Sequence, residues 1–154
     1  MLEKLRRFSA LGSPAQKMFV RALVMLPIVS ASLRTVGFRA TQTALQKILF
    51  TPNSEQNPDS VRTRIALTAH MVNSAGRHGL VRGSCLAKSL TLWCLLGGQG
   101  IASQLRIGIR KENGKFEAHA WVERDGVALN EPEDHHRHYS AFDTAFSSLP
   151  KDES

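Results

Sequence analysis

The period of the apolar positions changes near residue 100. Before that point, Leu86, Leu90, Trp93 and Leu96 with Gly97 recur at three- and four-residue spacing, which predicts a helix with a buried stripe. After it, Ile101, Leu105, Ile107 and Ile109 alternate with Gln104, Arg106, Gly108 and Arg110, the period of a half-buried strand. "GGQG" at 97–100 separates the two elements, and "KENGK" at 111–115 turns the chain into a second strand, "FEAHAWVE". "RDG" at 124–126 closes a hairpin whose return strand is "VALNE".

The upstream half reads as helices. "SPAQ" at 13–16 predicts a helix start, with Ser13 as N-cap, Pro14 at the first helical position and Gln16 completing a capping box. Pro27 is expected to kink or split that helix, and Gly37 to stop it ahead of a second piece over 39–50. The stretch 51–60 is a loop by composition, a third helix follows over about 60–76, and 76–84 is a glycine-punctuated connection. Ser84 is a natural N-cap for the helix that opens at Cys85. Helices followed by antiparallel strands, in a chain of 154 residues without internal repeats, predict a single α+β domain with the cysteine helix packed across the sheet.

Charge adds an asymmetry. The formal net charge is +7, and residues 1–50 hold eight Lys or Arg against one acid, Glu3, whereas twelve bases meet twelve acids from residue 51 onward. A basic first third suits an acidic peptide, an acidic partner or a membrane surface, although no further feature supports membrane contact. No nucleic-acid motif accompanies it, so nucleic acid is not an expected partner. The most apolar stretch, 22–33, is shorter than a bilayer span and is bracketed by Arg21 and Arg34, so no transmembrane segment is expected and a secretory signal is the weaker reading. Two cysteines nine residues apart point to opposite sides of a helix, where they neither bridge nor share a metal; a reducing, cytoplasmic setting follows.

The candidate chemistry centres on Cys85. A free thiol, with a pKa of about 8.5, is mostly protonated at neutral pH, and a helix N-terminus favours the thiolate through its unpaired amides and dipole. A cysteine enzyme also needs a proton carrier. His135, His136 and His138 fall in a polar loop, His70 reads as a surface residue and His78 is a reserve, whereas His119 sits between Ala118 and Ala120 in mid-strand. Alternation puts Phe116, Ala118, Ala120 and Val122 on the core face and His119 with Trp121 on the other.

Hairpin register decides the third member. A three-residue loop with a bulge at Gly126 pairs Glu123 with Val127 and sets Glu131 opposite His119. A two-residue Asp125-Gly126 turn sets Glu131 opposite Ala120 instead. The first register is the preferred expectation, with Asp134 and Asn130 as alternatives to Glu131. Backbone amides of Cys85 and Leu86 are the candidate oxyanion donors, and no side-chain donor is identifiable. No metal or cofactor is expected.

Taken in order, "CLAKSL", "GIASQLRIGIRK" and "FEAHAWVERDGVALNE" resemble the protease subunit of the lasso-peptide biosynthesis B proteins, a transglutaminase-like cysteine peptidase family; the resembling core runs from about Arg82 to Glu131. The resemblance implies a transglutaminase/papain-like core over 77–150, behind a basic, mainly helical part over 1–76. It implies removal of a leader peptide from a ribosomally made precursor, with Cys85 as nucleophile, His119 as acid/base and Glu131 as orienting residue. The family most often shows Asp at that last position, which keeps Asp134 in contention. It further implies a separate winged-helix protein that recognises the leader, an ATP-dependent cyclase acting afterwards, and no cofactor. The alternatives are a transglutaminase-like acyl transferase and a non-catalytic peptide-binding scaffold.

Overall fold

The computed structural model describes residues 12–49, 57–79, 83–131, 136–141 and 146–147. Four helices come first: α1 (Ser13–Thr35), α2 (Gly37–Leu49), α3 (Pro58–His78) and α4 (Cys85–Gly97). An antiparallel sheet follows, made of β1 (Gln104–Glu112), β2 (Lys115–Arg124) and β3 (Val127–Ala128), with β4 (Ser140–Ala141) and β5 (Phe146–Ser147) after a 3-10 turn at His136–His138. The class is α+β, and the cysteine helix packs on the sheet.

Helix α4 is the centre of the core. Ala87 and every residue from Ser89 to Gly97 are buried, which goes beyond the single stripe read from the sequence; Leu86, assigned to that stripe, is only half-buried. A helix this apolar on all sides needs neighbours on all sides. Helices α1, α2 and α3 supply one set and strands β1 and β2 the other, so that Leu26, Val72, Leu90, Trp93, Leu105 and Val122 belong to one cluster.

Helix α1 departs from its expected form at three points. Its N-cap is Gly12, whose carbonyl accepts the Gln16 N–H at 3.1 Å, so Ser13 already lies inside the helix. Pro27 does not split it. The helix continues because Met18, Ala22, Leu26 and Val29 are buried on its inner side, and burial of such side chains, at about 1.5–3 kcal/mol each when large, offsets the ~3 kcal/mol that an interior proline costs. Val36 caps it, and Gly37, at φ +82°, opens α2 directly rather than forming a loop. At 23 residues α1 is also long and apolar enough to cross a membrane by length and composition, a test that the core helix of a soluble protein passes as well. Its outer side exposes Val20, Val24 and Ile28.

Helix α3 starts earlier than expected, because the Asn57 side chain accepts the Asp59 N–H at 2.9 Å and Pro58 occupies the first turn. It also runs on to His78, which shortens the connection to α4. Residues 51–56 of the expected loop, with residue 50 of the helix expected before it, lie outside the described residues.

In the sheet, β2 is flanked by β1 and β3, while β4 and β5 both pair with the other edge of β1. Strand β1 begins at Gln104, three residues after the expected start, because Gly100, at φ +70°, and its neighbours still belong to the turn that leaves α4. Glu112 pairs with Lys115 around Asn113 and Gly114, and Arg124 pairs with Val127 around Asp125 and Gly126. All four turn residues have positive φ, between 51° and 78°, which is the two-residue type I′ turn that matches strand twist. The three-residue loop with a bulge at Gly126 is therefore incorrect. Of the expected core face of β2, Ala120 and Val122 are buried against α4, but Ala118 is exposed and Phe116 is 73% exposed, since α4 does not extend that far along the strand.

Candidate active site

Cys85 opens α4. The Ser84 hydroxyl accepts the Ala87 N–H at 3.2 Å and its carbonyl accepts the Lys88 N–H at 3.0 Å, as its reading as N-cap requires. Those two bonds leave the amides of Cys85 and Leu86 outside the helical ladder, in the position to receive an anion. The two cysteines occupy different environments. Cys94 is buried, and burial pushes its thiol up to about 12, so it stays protonated; Cys85 is half-buried and opens on a cavity.

That cavity, of about 250 Å³, also takes in His119, Asn130 and Glu131. His119 Nε2 and Glu131 Oε2 are in direct contact, with side chains 17% and 9% exposed. The pair exists although the register expected to produce it does not. Continued past Ala128, the observed two-residue turn would carry Glu131 opposite Ala120 and aim it away from the imidazole. The ladder ends first. After Leu129 donates to the Val122 carbonyl at 2.8 Å, the Asn130 side chain takes over from the backbone: its Oδ1 accepts the Val122 N–H at 2.9 Å. Its Nδ2 donates to Ser89 Oγ at 3.0 Å, and that hydroxyl donates to the Ala120 carbonyl at 2.8 Å. Asn73 Nδ2 reaches the Asn130 carbonyl at 3.4 Å. Asn130 thus stands in for the backbone where the ladder ends, and Glu131, not Asn130, is the side chain in contact with His119.

The imidazole is also held by rings. Trp121 stacks at 6.0 Å with an interplanar angle of 20°, and Tyr139 lies at 4.9 Å. Tyr139 in turn carries the Arg110 guanidinium 4.9 Å from its ring centroid, and Arg110 is bonded to Glu117 at 2.6 Å. The hydrogen bond from Arg110 holds the Glu117 carboxyl below its usual range, and burial raises the Tyr139 phenol. Neither Tyr139 nor the role of Asn130 was visible in the sequence. Tyr139 closes a stretch of acids and histidines with no apolar period, and only the pairing of β4 with Gly108 and Ile109 brings it over His119. Gly108 makes room for this packing, since a Cβ there would lie 3.0 Å from the Trp121 ring and 3.1 Å from the Ser140 carbonyl oxygen.

The remaining candidates fall elsewhere. His70, His78 and His138 are exposed, while Asp134, His135 and the side chain of His136 lie outside the described residues. Among the described residues, no group of three or more His, Cys, Asp or Glu is placed to hold a metal ion. Chemically, a thiol at a helix N-terminus and a carboxylate-backed imidazole on one cavity can add sulfur to a carbonyl and move a proton to the group that leaves.

A cysteine on the first turn of a central helix, with a histidine supplied from the adjoining antiparallel sheet, defines a transglutaminase/papain-like α+β fold. The model of the transglutaminase-like superfamily matches residues 29–143, about three quarters of the chain, and the protein belongs to that superfamily. The match begins within α1, so the likeness takes in the helical half as well as the stretch 82–131. Membership supports an activity of the cysteine peptidase or acyltransferase type. No curated protein and no solved structure matches the chain.

Proposed function

We propose that this protein is a cysteine peptidase that removes the leader peptide from a ribosomally synthesised lasso-peptide precursor through an acyl-thioester on Cys85. The observation that carries the reading is the shared cavity: Cys85 at the start of α4 and the His119–Glu131 pair line the same space. His119 takes the thiol proton, and Cys85 Sγ adds to the scissile carbonyl carbon. The electron pair displaced onto oxygen is received by the amides of Cys85 and Leu86. Collapse expels the core-peptide amine, which takes its proton from the imidazolium. Water then adds to the thioester with His119 as base, releasing the leader carboxylate and restoring the thiol. Glu131 fixes the imidazole's tautomer and stabilises its charged form, the part a carboxylate plays in a triad.

The reading includes a separate winged-helix protein that presents the leader and an ATP-dependent cyclase that closes the ring afterwards, both working in the cytoplasm where the thiol stays reduced. The basic first third, with Arg6, Arg7, Lys17 and Arg21, docks one of these or the leader. Reversing those four residues to Glu should slow cleavage in the presence of the recognition protein, and unchanged rates would remove the docking idea.

The central test uses a lasso-type precursor with its recognition protein. Cys85→Ala and His119→Ala should abolish cleavage with the fold intact, and mass spectrometry of the quenched reaction should find the acyl group on Cys85. Full cleavage by Cys85→Ala excludes the reading. Capture of the acyl group by an added amine in preference to water would assign the enzyme to acyl transfer instead.

A further inference from the structure

We propose that the cavity beside Cys85 contains a carboxylate-binding subsite made by Lys88 and Arg77, so that the peptide held there bears a carboxylate close to the bond that is cut. The substrate class rests on the cysteine-peptidase reading, but the observations and the test do not. Lys88 and Arg77 line the same cavity as Cys85. Among the described residues neither side chain has an ion-pair or hydrogen-bond partner, and the cavity's own carboxylate, Glu131, is engaged by His119.

Lys88 is three residues after Cys85, hence on the same face of α4. A cation in the first turn of a helix is opposed by the dipole, and α4 has no acid there to compensate it. Its position is nevertheless built. The lysine stem crosses α3 at the buried Gly76, where a Cβ would come within 2.8 Å of Lys88 Cδ and 3.3 Å of Cγ. A buried glycine inside a helix costs about 1 kcal/mol relative to alanine, and here it provides the groove in which the stem lies. Arg77, the next residue, stands at the rim. Among the described residues the one carboxylate on the cavity, Glu131, is taken up by His119, so two cations kept beside the nucleophile fit an anion brought by the ligand, and a carboxylate matches the guanidinium fork.

Paired alkylation of the full chain tests this directly: the rates at Cys85 with anionic iodoacetate and with neutral iodoacetamide, against the same ratio for N-acetylcysteine amide. Both reagents consume the same thiolate, so the ratio is independent of how reactive Cys85 is. Wild type should show an iodoacetate-to-iodoacetamide ratio roughly tenfold above the free thiol, compressed by high salt. Lys88→Met and Arg77→Met should each lower it several-fold, and Gly76→Ala should lower it without removing a charge. A wild-type ratio equal to that of the free thiol, which requires no variant to fold, overturns the subsite, as does a raised ratio insensitive to both Met substitutions. Cys85 inert to both reagents overturns the nucleophile reading and the subsite with it. Protection of Cys85 by N-acetyl-Ala-Glu-Ala-amide assigns the carboxylate to a side chain, and protection by N-acetyl-Ala-Gln-Ala as the free acid assigns it to a chain end. Protection by N-acetyl-Ala-Gln-Ala-amide equal to both overturns the proposal.

Discussion

Asn130→Asp changes one atom group and should be costly, for a reason that lies in donor counting. The Val122 N–H can only donate, so it fixes Oδ1 of Asn130 as its acceptor and leaves Nδ2 facing Ser89. The single proton of the Ser89 hydroxyl is already committed to the Ala120 carbonyl. An aspartate keeps the bond to Val122 but presents an acceptor to Ser89. Either two acceptors then face each other, or the hydroxyl turns and strands the buried carbonyl of Ala120. One unmet buried group costs about 1–3 kcal/mol, and partial burial of the new carboxylate adds to it, so a loss of about 2–4 kcal/mol is expected. Urea unfolding followed by fluorescence of the buried Trp93 and Trp121 measures it. The pH dependence provides the signature. A protonated carboxyl supplies the missing donor, so the new group's folded pKa lies above its unfolded value of about 3.9. Its favourable contribution is then full below that value and is lost as pH rises through the folded pKa, so the variant should approach wild type in acid and fall away from it towards neutrality. A loss under about 1 kcal/mol, or one independent of pH, would refute the donor assignment.

Glu131→Gln keeps the contact with His119 but removes the charge, and should lower kcat roughly 10²–10⁴-fold with little change in KM; equal activity would release Glu131 from its orienting part. Iodoacetamide on the native protein at pH 8 should label Cys85 alone, with Cys94 reached only after unfolding, because burial lifts that thiol to about 12. The same shift has a stability consequence. A folded pKa raised in this way gives a contribution that is whole below about pH 9 and lost between there and 12, so Cys94→Ala should flatten the alkaline decline in urea midpoints. Gly108→Ala should cost about 1–3 kcal/mol, since the new methyl sits 3.0 Å from the ring of the buried Trp121 and 3.1 Å from the Ser140 carbonyl oxygen. A neutral result in thermal unfolding would mean that β4 yields instead.

The parts of this fold that could be read from the sequence are those set by neighbours in the chain. Ser84 caps α4 because its hydroxyl reaches an amide three residues on, and His119 stands out because two alanines flank it on a strand whose period is clear. The third site residue was reached by a register that the structure does not have. Counting assumed that the hairpin ladder persists to Glu131, and under that assumption only a bulged loop joins it to His119. In fact both hairpins use two-residue turns with positive φ, and the ladder stops at Leu129. A backbone acceptor is there replaced by the Asn130 side chain, which is anchored through Ser89 on a helix forty-one residues earlier. Local periodicity carries no trace of that anchor. The same holds for Pro27, whose effect on α1 depends on what Leu26 and Val29 meet across the core, and for Tyr139, which reaches His119 only through strand pairing. What the sequence conveys at the site is the chemistry of single residues; what brings them together is a set of long-range hydrogen bonds and ring contacts at the open edge of β2.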